Sequence, residues 1–222
     1  MLQHWWTGTL SKDLTPEKAL IFRIVHRDNV PWILDHGLHC ANSSVISPTY
    51  VPIGSPDLIE KRRSRKVDEA PGGYLSDYVP FYFTPHSPML FNIKTGYNGI
   101  RKRSNDEIVI LVSSLPTLAV KGVPFLFTDR HAYLAAARFS SNLDDLGLID
   151  WPILQTRDFK RDPEDPGKVE RYQAEALVHR HLPAASLLGL GCHTDDVAAR
   201  VKALTAHRDL DLKVVVRTGW YF

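Results

Sequence analysis

The sequence predicts a single domain of the α+β class. Its 222 residues suit one domain, and 44% of them are apolar, which is enough for a sizeable core. Predicted strands and helices are mixed without the regular alternation that a doubly wound α/β fold requires. Residues 1–19 are polar and interrupted by proline, so we expect a loose N-terminal arm within a single 1–222 domain.

The local patterns place the secondary-structure elements along this domain. Residues 20–26 are β-branched and aromatic, which is typical of a strand, and residues 30–36 form a helix that Gly37 ends. Further strands are predicted at 78–84, 107–113, 124–128, 187–191 and 212–217. Further helices are predicted from near Asp57 and at 87–93, 116–120, 131–139 and 195–206.

Residues 171–178 are the stretch most suggestive of a catalytic site. Alternation there predicts a strand with Gln173 and Glu175 on one face, about 7 Å apart. Upstream, residues 155–170 are rich in Asp, Pro and Arg and are expected to form a mobile loop. A carboxylate on a rigid strand behind such a loop suits catalysis, although an edge-strand Glu in solvent is the alternative.

Charge and cysteine usage narrow the possible partners and compartments. The net charge is only +2, but basic residues concentrate at 61–66, at 101–103 and around the loop before Glu175. Such clusters indicate a polyanionic partner, although each could be a solvated face. Cys40 and Cys192 lack metal-ligand spacing, so we expect no metal. Without a membrane-length apolar run or a secretion signal, the expected location is the cytoplasm.

Seven segments, in order along the chain, carry a family resemblance: residues 22–29, 62–65, 71–83, 87–90, 122–129, 173–175 and 220–221. Together they resemble the DarT family of DNA ADP-ribosyltransferase toxins over nearly the whole chain. The resemblance implies an ADP-ribosyltransferase fold, with two curved, mainly antiparallel sheets around an NAD⁺-binding cleft and peripheral helices. It also implies modification of a base in single-stranded DNA and a cognate ADP-ribosyl-glycohydrolase antitoxin that removes the mark. We expect a monomer.

The resemblance assigns the catalytic acid to Glu175 and the essential arginine to Arg63. Breaking the nicotinamide–ribose bond passes through an oxocarbenium-like transition state, which a carboxylate near the ribose stabilises. Arg63 would hold the NAD⁺ diphosphate or the acceptor, unless it is a surface charge in a basic run. The residues expected to bind NAD⁺ are Arg23, His26, Asn29, Tyr82 and Thr84. A structural ion pair for Arg23, or a helix-capping role for Asn29, is the alternative.

The acceptor is expected to meet the loop before Glu175. Arg157, Lys168 and Arg171 would follow the DNA backbone, Tyr172 would stack on a base, and Gln173 would contact the DNA. Base modification requires an unpaired base, which favours a single strand. The other possibilities are an RNA ADP-ribosyltransferase of the same fold and a non-catalytic nucleic-acid-binding protein.

One position departs from the family pattern and bears on the acceptor base. Arg23 stands where many members have His, and Val25 stands where they have Thr, whereas His26 is kept. An arginine on the first strand together with Gln-x-Glu resembles the Arg–Ser–Glu class of ADP-ribosyltransferases. Gln-x-Glu also occurs in guanine-modifying enzymes, so the sequence slightly favours guanine over thymine.

Overall fold

The computed structural model describes residues 10–222, whose strands form an eight-stranded sheet and a two-stranded sheet. The strands are β1 (Leu20–His26), β2 (Leu38–His39), β3 (Tyr78–Tyr82), β4 (Ile108–Ser114), β5 (Phe125–Thr128), β6 (Phe139–Ser140), β7 (Glu175–His179), β8 (His181–Leu182), β9 (Gly189–Cys192) and β10 (Lys213–Val216). The helices are α1 (Leu10–Asp13), α2 (Val30–His36), α3 (Pro56–Ser64), α4 (Pro88–Thr95), α5 (Leu115–Val120), α6 (Trp151–Thr156), α7 (Lys168–Tyr172) and α8 (Asp195–Thr205).

The large sheet has the strand order β10-β9-β4-β1-β3-β7-β5-β6. Its described neighbours pair antiparallel, except that β9 and β10 are parallel. The predicted α+β class and mainly antiparallel pairing are therefore confirmed. The expected pair of curved sheets is only approximate, because most strands join one continuous sheet and only β2 and β8 pair separately.

The elements with strong local signals form where the sequence predicts them. Strand β1 covers the predicted residues 20–26, and β4 beside it is buried along its whole length. Ser87 and Thr194 cap α4 and α8, because their hydroxyl oxygens accept hydrogen bonds from the backbone of the first turn. These strands and caps fix the central part of the sheet, on which the site is built.

Two predicted elements around the site are wrong. Residues 131–139 do not form a helix: they belong to a turn that leads into β6, and the backbone N–H of Asp129 donates to Arg138 O across its base. Residues 171–178 are not one strand either, since α7 continues to Tyr172 and β7 begins at Glu175. Ion pairs hold Arg171 and Lys168 on α7, and alternation alone does not reveal such pairs.

The predicted N-terminal arm is described only from residue 10 onward, and residues 1–9 lie outside the described part. Leu10–Asp13 forms α1, and Leu14 and Ala19 are buried in the core. The Gln155 side chain donates to Leu14 O at 2.9 Å, which links the segment to α6. From α1 to β1 the segment is therefore packed rather than loose. No helix within residues 10–222 has the length and apolar character needed to cross a membrane.

Candidate active site

The first residue of β7, Glu175, lies inside the sheet at the centre of the candidate site. Its register partner on β3 is Tyr82, so the two side chains arise from adjacent points of neighbouring strands. The Glu175 N–H donates to Thr128 Oγ1 at 3.1 Å, which anchors the start of the strand to β5. Glu175 is only 2% exposed, and the expectation of an edge-strand residue in solvent is therefore excluded.

Both oxygens of the Glu175 carboxylate are held. Arg62 NH1 donates to Oε2 at 2.9 Å, and the backbone N–H of Ala132 donates to Oε1 at 3.0 Å. The Nδ1 atom of His131 lies 3.7 Å from the same Oε1. The carboxylate is thus fixed in position before any substrate arrives.

The charge state of Glu175 reflects a balance between burial and these neighbours. Burial alone would raise its pKa, because a charged group is poorly stabilised away from water. The Arg62 charge, His131 and the hydrogen bonds from Ala132 and Arg62 outweigh that effect and hold the pKa below its ordinary value. Glu175 is therefore an ionised acceptor at neutral pH.

The arginine beside Glu175 is Arg62, and the expectation for Arg63 is corrected. Consecutive residues of α3 point about 100° apart, so only one of the two can face the sheet. Arg62 is buried against Glu175, whereas the Arg63 side chain is 53% exposed and its Nε lies 3.2 Å from Glu60 Oε2. The arginine that contacts Glu175 is therefore one residue earlier than the arginine that the sequence suggested.

A cavity of about 170 Å³ opens over Glu175, and Arg23, Tyr50, Arg62, Tyr82 and Met89 are among its lining residues. Arg23 and Tyr82, both expected near Glu175, therefore line the same cavity as Glu175. Burial, and after it the charge of Glu175, raise the pKa of the Tyr82 hydroxyl, so it stays protonated at neutral pH. The walls combine an aromatic ring, aliphatic chains and two guanidinium groups.

A second cavity of about 310 Å³ adjoins the first, and both are lined by Arg23, Tyr50 and Arg62. Its other walls include Trp32, an indole-bearing side chain of α2. At this junction Arg23 NH1 donates to Pro80 O at 2.6 Å. The Nε of Arg23 and the NH2 of Arg62 are buried and find no hydrogen-bond partner among the described residues. Two unpartnered cationic donors between two cavities fit an anionic group that bridges them.

Asn29 supports the cleft without facing it. Its side-chain amide exchanges two 2.8 Å hydrogen bonds with the backbone N–H and C=O of Val51. Val51 lies between Tyr50 and Pro52, both of which line the cavity over Glu175. The amide expected to contact NAD⁺ is therefore already satisfied, and it positions one wall of the cavity.

His26 and Thr84 are not among the side chains that line either cavity, and their expected contact with NAD⁺ stays a prediction. The buried His26 ring accepts from the Asp28 N–H, and its Nε2 lies 3.6 Å from Glu107 Oε1. Thr84 is also buried, and its hydroxyl oxygen accepts from the His86 N–H at 3.3 Å. Both side chains satisfy local backbone groups at the ends of strands.

Sequence and structure comparisons agree with this geometry. A family model described as "ssDNA thymidine ADP-ribosyltransferase, DarT" matches residues 22–222. The chain belongs to the DarT family. The match includes all but the first two residues of β1 and the whole of α3, β3, the 129–138 turn and β7.

The similar proteins include DNA ADP-ribosyl transferases that match this chain over nearly all of their length. A DNA ADP-ribosyl transferase of Escherichia coli O127:H6 is 54% identical over 96% of this chain and 97% of its own length. One from Thermus sp. strain 2.9 is 36% identical over 93% and 98%. Structures of the Thermus sp. 2.9 DarT with ADP-ribosylated ssDNA and with NAD⁺ superpose with TM-scores of 0.84 and 0.79, at 35% and 33% identity. Each covers 93% of this chain, and 98% and 99% of the Thermus chain respectively.

The loop before Glu175, which the sequence suggested as the DNA-binding segment, is held by ion pairs between its basic and acidic side chains. Lys168 Nζ donates to Asp158 at 2.5 Å, and Arg171 donates to both Asp165 and Asp150. These hydrogen bonds raise the pKa of both cations, which are already engaged. Lys168 and Arg171 therefore hold the loop together, a role that competes with the one expected for them on the DNA backbone.

Tyr172, which the sequence suggested for base stacking, does not have an exposed ring. It is 0% exposed, and its ring lies 5.3 Å from that of Phe159. Burial raises the pKa of Tyr172 to about 12, and its hydroxyl donates to His86 O at 3.1 Å. A ring enclosed in this way offers no face to an incoming base.

Two of the expected DNA-binding residues remain accessible. Arg157 is exposed, and one of its nitrogens donates to Gly219 O at 3.1 Å. Gln173 is partly exposed and donates to Val169 O, which leaves its side-chain oxygen available.

Sequence reasoning missed the 129–138 turn, which carries His131, Ala132 and the partly exposed Tyr133. The available signal was Thr128-Asp129, a polar pair directly after a buried strand, but it was interpreted as a helix cap. Within residues 10–222, no three His, Cys, Asp or Glu side chains cluster as a metal site would require.

Proposed function

We propose that this DarT-family enzyme is a toxin that transfers ADP-ribose from NAD⁺ to a base of single-stranded DNA. The observation that carries the proposal is the buried Arg62–Glu175 pair, which faces a cleft with unpartnered guanidinium nitrogens. The Thermus relative, solved with NAD⁺ and with ADP-ribosylated ssDNA, supports both substrates.

NAD⁺ would span the two cavities. The nicotinamide ribose would lie over Glu175, with the Tyr82 ring beside the nicotinamide. The diphosphate would take up the free Nε of Arg23 and NH2 of Arg62 at the junction, since charge-assisted donors suit phosphate oxygens. The adenosine would then extend into the second cavity toward Trp32.

In the transfer, the bond between the nicotinamide nitrogen and the ribose carbon breaks, and that carbon bonds to a ring nitrogen of the base. The ionised Glu175 stabilises the positive charge that develops on the ribose. The same carboxylate accepts the proton that the attacking ring nitrogen loses. Arg62 holds Oε2, which keeps the carboxylate ionised until it accepts that proton and keeps it correctly oriented.

The acceptor strand would approach past the 129–138 turn and the exposed Arg157. We assign base stacking to Tyr133 instead of Tyr172, because its ring is exposed on the turn that contacts Glu175. Gln173 would contact the base or its neighbour. For the modified base we propose thymine, since the matching family model is described by thymidine transfer. Guanine, which Arg23 and Gln-x-Glu favoured, becomes the alternative for the test.

The biological setting follows from the family. We propose that a cognate ADP-ribosyl-glycohydrolase antitoxin reverses the mark. A monomer is supported because one chain supplies both partners of the Arg62–Glu175 pair and the walls of both cavities. Cytoplasmic action is supported by the free, buried cysteines Cys40 and Cys192.

The test is mass spectrometry of oligonucleotides incubated with the protein and NAD⁺. We expect one ADP-ribosyl group on single-stranded DNA that contains thymine, and none on DNA without thymine. Labelling that persists without thymine but disappears without guanine overturns the proposed base. Labelling confined to RNA overturns the DNA assignment, and binding with no change in mass identifies a non-catalytic binder.

A further inference from the structure

The turn between β5 and β6, residues 129–138, contacts Oε1 of Glu175, whereas Arg62 contacts Oε2. Its Ala132 N–H donates to Glu175 Oε1, and His131 Nδ1 is 3.7 Å from the same oxygen. The turn contains neither a helix nor paired strands, and its shape depends on side-chain contacts together with a few backbone hydrogen bonds, such as Leu134 N–H to His131 O. The residue that fixes this shape therefore bears on the geometry of Glu175.

Asp129 makes the contacts that close the turn. It is 1% exposed and accepts from the Arg138 N–H at 3.0 Å and from Arg138 Nε at 3.0 Å. Arg130 also donates to it, with NH2 at 3.0 Å from Oδ2. Burial opposes the ionisation of Asp129, but these arginines hold its pKa below the ordinary value. One ionised carboxylate thus binds the second residue and the last residue of the turn.

The neighbouring contacts transmit this closure to Glu175. Thr128 Oγ1 donates to Arg130 O at 2.6 Å and accepts from the Glu175 N–H at 3.1 Å. On the far side of the turn, the His131 N–H donates to Glu170 O at 3.0 Å. Between these points, the contacts of Asp129 and the hydrogen bond from the Leu134 N–H to His131 O fix where His131 and Ala132 lie.

We propose that Asp129 is a positioning residue for ADP-ribose transfer, because it clamps the 129–138 turn so that the Ala132 N–H and His131 remain on Glu175 Oε1. The proposal rests on the catalytic role proposed for Glu175. Arg62 restrains one carboxylate oxygen and the clamped turn restrains the other. Loss of the clamp frees the second oxygen without altering the NAD⁺-binding arginines.

Two consequences distinguish positioning from a merely structural role. Misplacement of a reacting group by about 1 Å costs up to roughly a hundredfold in rate, so kcat should fall while the KM for NAD⁺ stays nearly constant. In addition, Ala132 and His131 help to lower the pKa of Glu175. Without them that pKa rises, and the acid limb of the activity profile moves to higher pH.

The experiment measures kcat, the KM for NAD⁺ and the pH profile of transfer to a single-stranded oligonucleotide for Asp129→Asn and Asp129→Ala. We expect kcat to fall about tenfold or more in Asp129→Ala, with the larger shift of the acid limb in the same variant. The matched control is Asp13→Asn, a buried aspartate of α1 that is paired with Lys18. It should lower the melting temperature without moving the acid limb.

A folded Asp129→Ala protein with unchanged kcat and an unchanged acid limb overturns the proposal. A raised KM with unchanged kcat also overturns it, because Asp129 would then shape the NAD⁺ site. Should Asp129→Ala fail to fold, Arg138→Ala decides in the same way, since this 61% exposed side chain supplies one arm of the clamp. Glu175→Gln is measured in parallel: if it stays active, the proposed role of Glu175 fails, which is a separate result.

Discussion

Two arginines near Glu175 bind carboxylates in very different surroundings. Arg62 meets Glu175 inside the protein, where both partners are buried and one Arg62 nitrogen has no partner among the described residues. Arg171 meets Asp165 and Asp150 near the surface, where two acids occupy its Nε and both terminal nitrogens. Arg62 keeps a donor nitrogen without a partner and faces a cleft. All three nitrogens of the Arg171 guanidinium, in contrast, donate to acids and brace a loop.

The difference shows which ion pair is available for chemistry. A buried pair is costly to form, and replacing it with apolar residues is often neutral or stabilising, so stability alone does not explain it. An unpartnered donor beside such a pair indicates a ligand that completes the site. Arg171 faces two carboxylates and keeps only two of its five N–H donors for phosphate, although it is closer to Glu175 in the sequence.

Removing the cleft carboxylate should have the largest effect. We expect Glu175→Gln to lower the transfer rate by about a thousandfold or more, because the charge that stabilises the transition state is lost. NAD⁺ binding, measured by calorimetry, should persist. Glu60→Gln on the exposed face of α3 serves as the control. Near-normal transfer by folded Glu175→Gln would remove this residue from the mechanism.

Arg62→Ala and Arg63→Ala form a matched pair on one helix. Arg62→Ala should lose about 3–5 kcal/mol of unfolding free energy and most activity, because it leaves a buried carboxylate unpaired. The pKa of Glu175 then rises, so residual activity should decline at a higher pH on the acid side. Arg63→Ala should resemble the wild type in chemical denaturation and in transfer assays. The reverse ranking would restore Arg63 as the essential arginine.

Arg62 and Arg63 also show which features of the site can be predicted from the sequence and which cannot. Strand β1 can be predicted from its local pattern of β-branched and aromatic residues, and Glu175 can be singled out from a short local motif. The choice between Arg62 and Arg63 depends on the phase of α3 against a strand 113 residues away, which no local pattern records. The exposed ring predicted for Tyr172 was wrong for a related reason, because the helix that buries this residue is held by ion pairs with the loop.

Arg23→His should have an intermediate effect confined to substrate binding. Histidine carries little charge at pH 7 and offers fewer donors than arginine, so we expect the KM for NAD⁺ to rise about tenfold, the equivalent of roughly 1.4 kcal/mol. The change in kcat should be small. An unchanged KM with a lowered melting temperature would mean that Arg23 serves only its hydrogen bond to Pro80 O.

Arg171→Ala should have the smallest effect, on stability alone. Partly exposed ion pairs contribute little, so we expect a drop in melting temperature of at most a few degrees and unchanged NAD⁺ hydrolysis. The exposed Arg157→Ala is the contrasting variant: it should raise the KM for DNA, most at low salt, and leave melting unchanged. If Arg171→Ala shows that DNA phenotype instead, the loop cation is a phosphate contact after all.

We expect Arg62 and Glu175 to act as one catalytic unit, a claim that a double-mutant cycle can test. The measurement is the single-turnover rate of ADP-ribose transfer to a thymine-containing single strand by the wild type, Arg62→Ala, Glu175→Gln and the double variant. Residues that act as a unit are strongly non-additive, so the double variant should be no slower than the slower single variant. Losses that multiply in the double variant would contradict the claim, because Arg62 and Glu175 would then contribute independently.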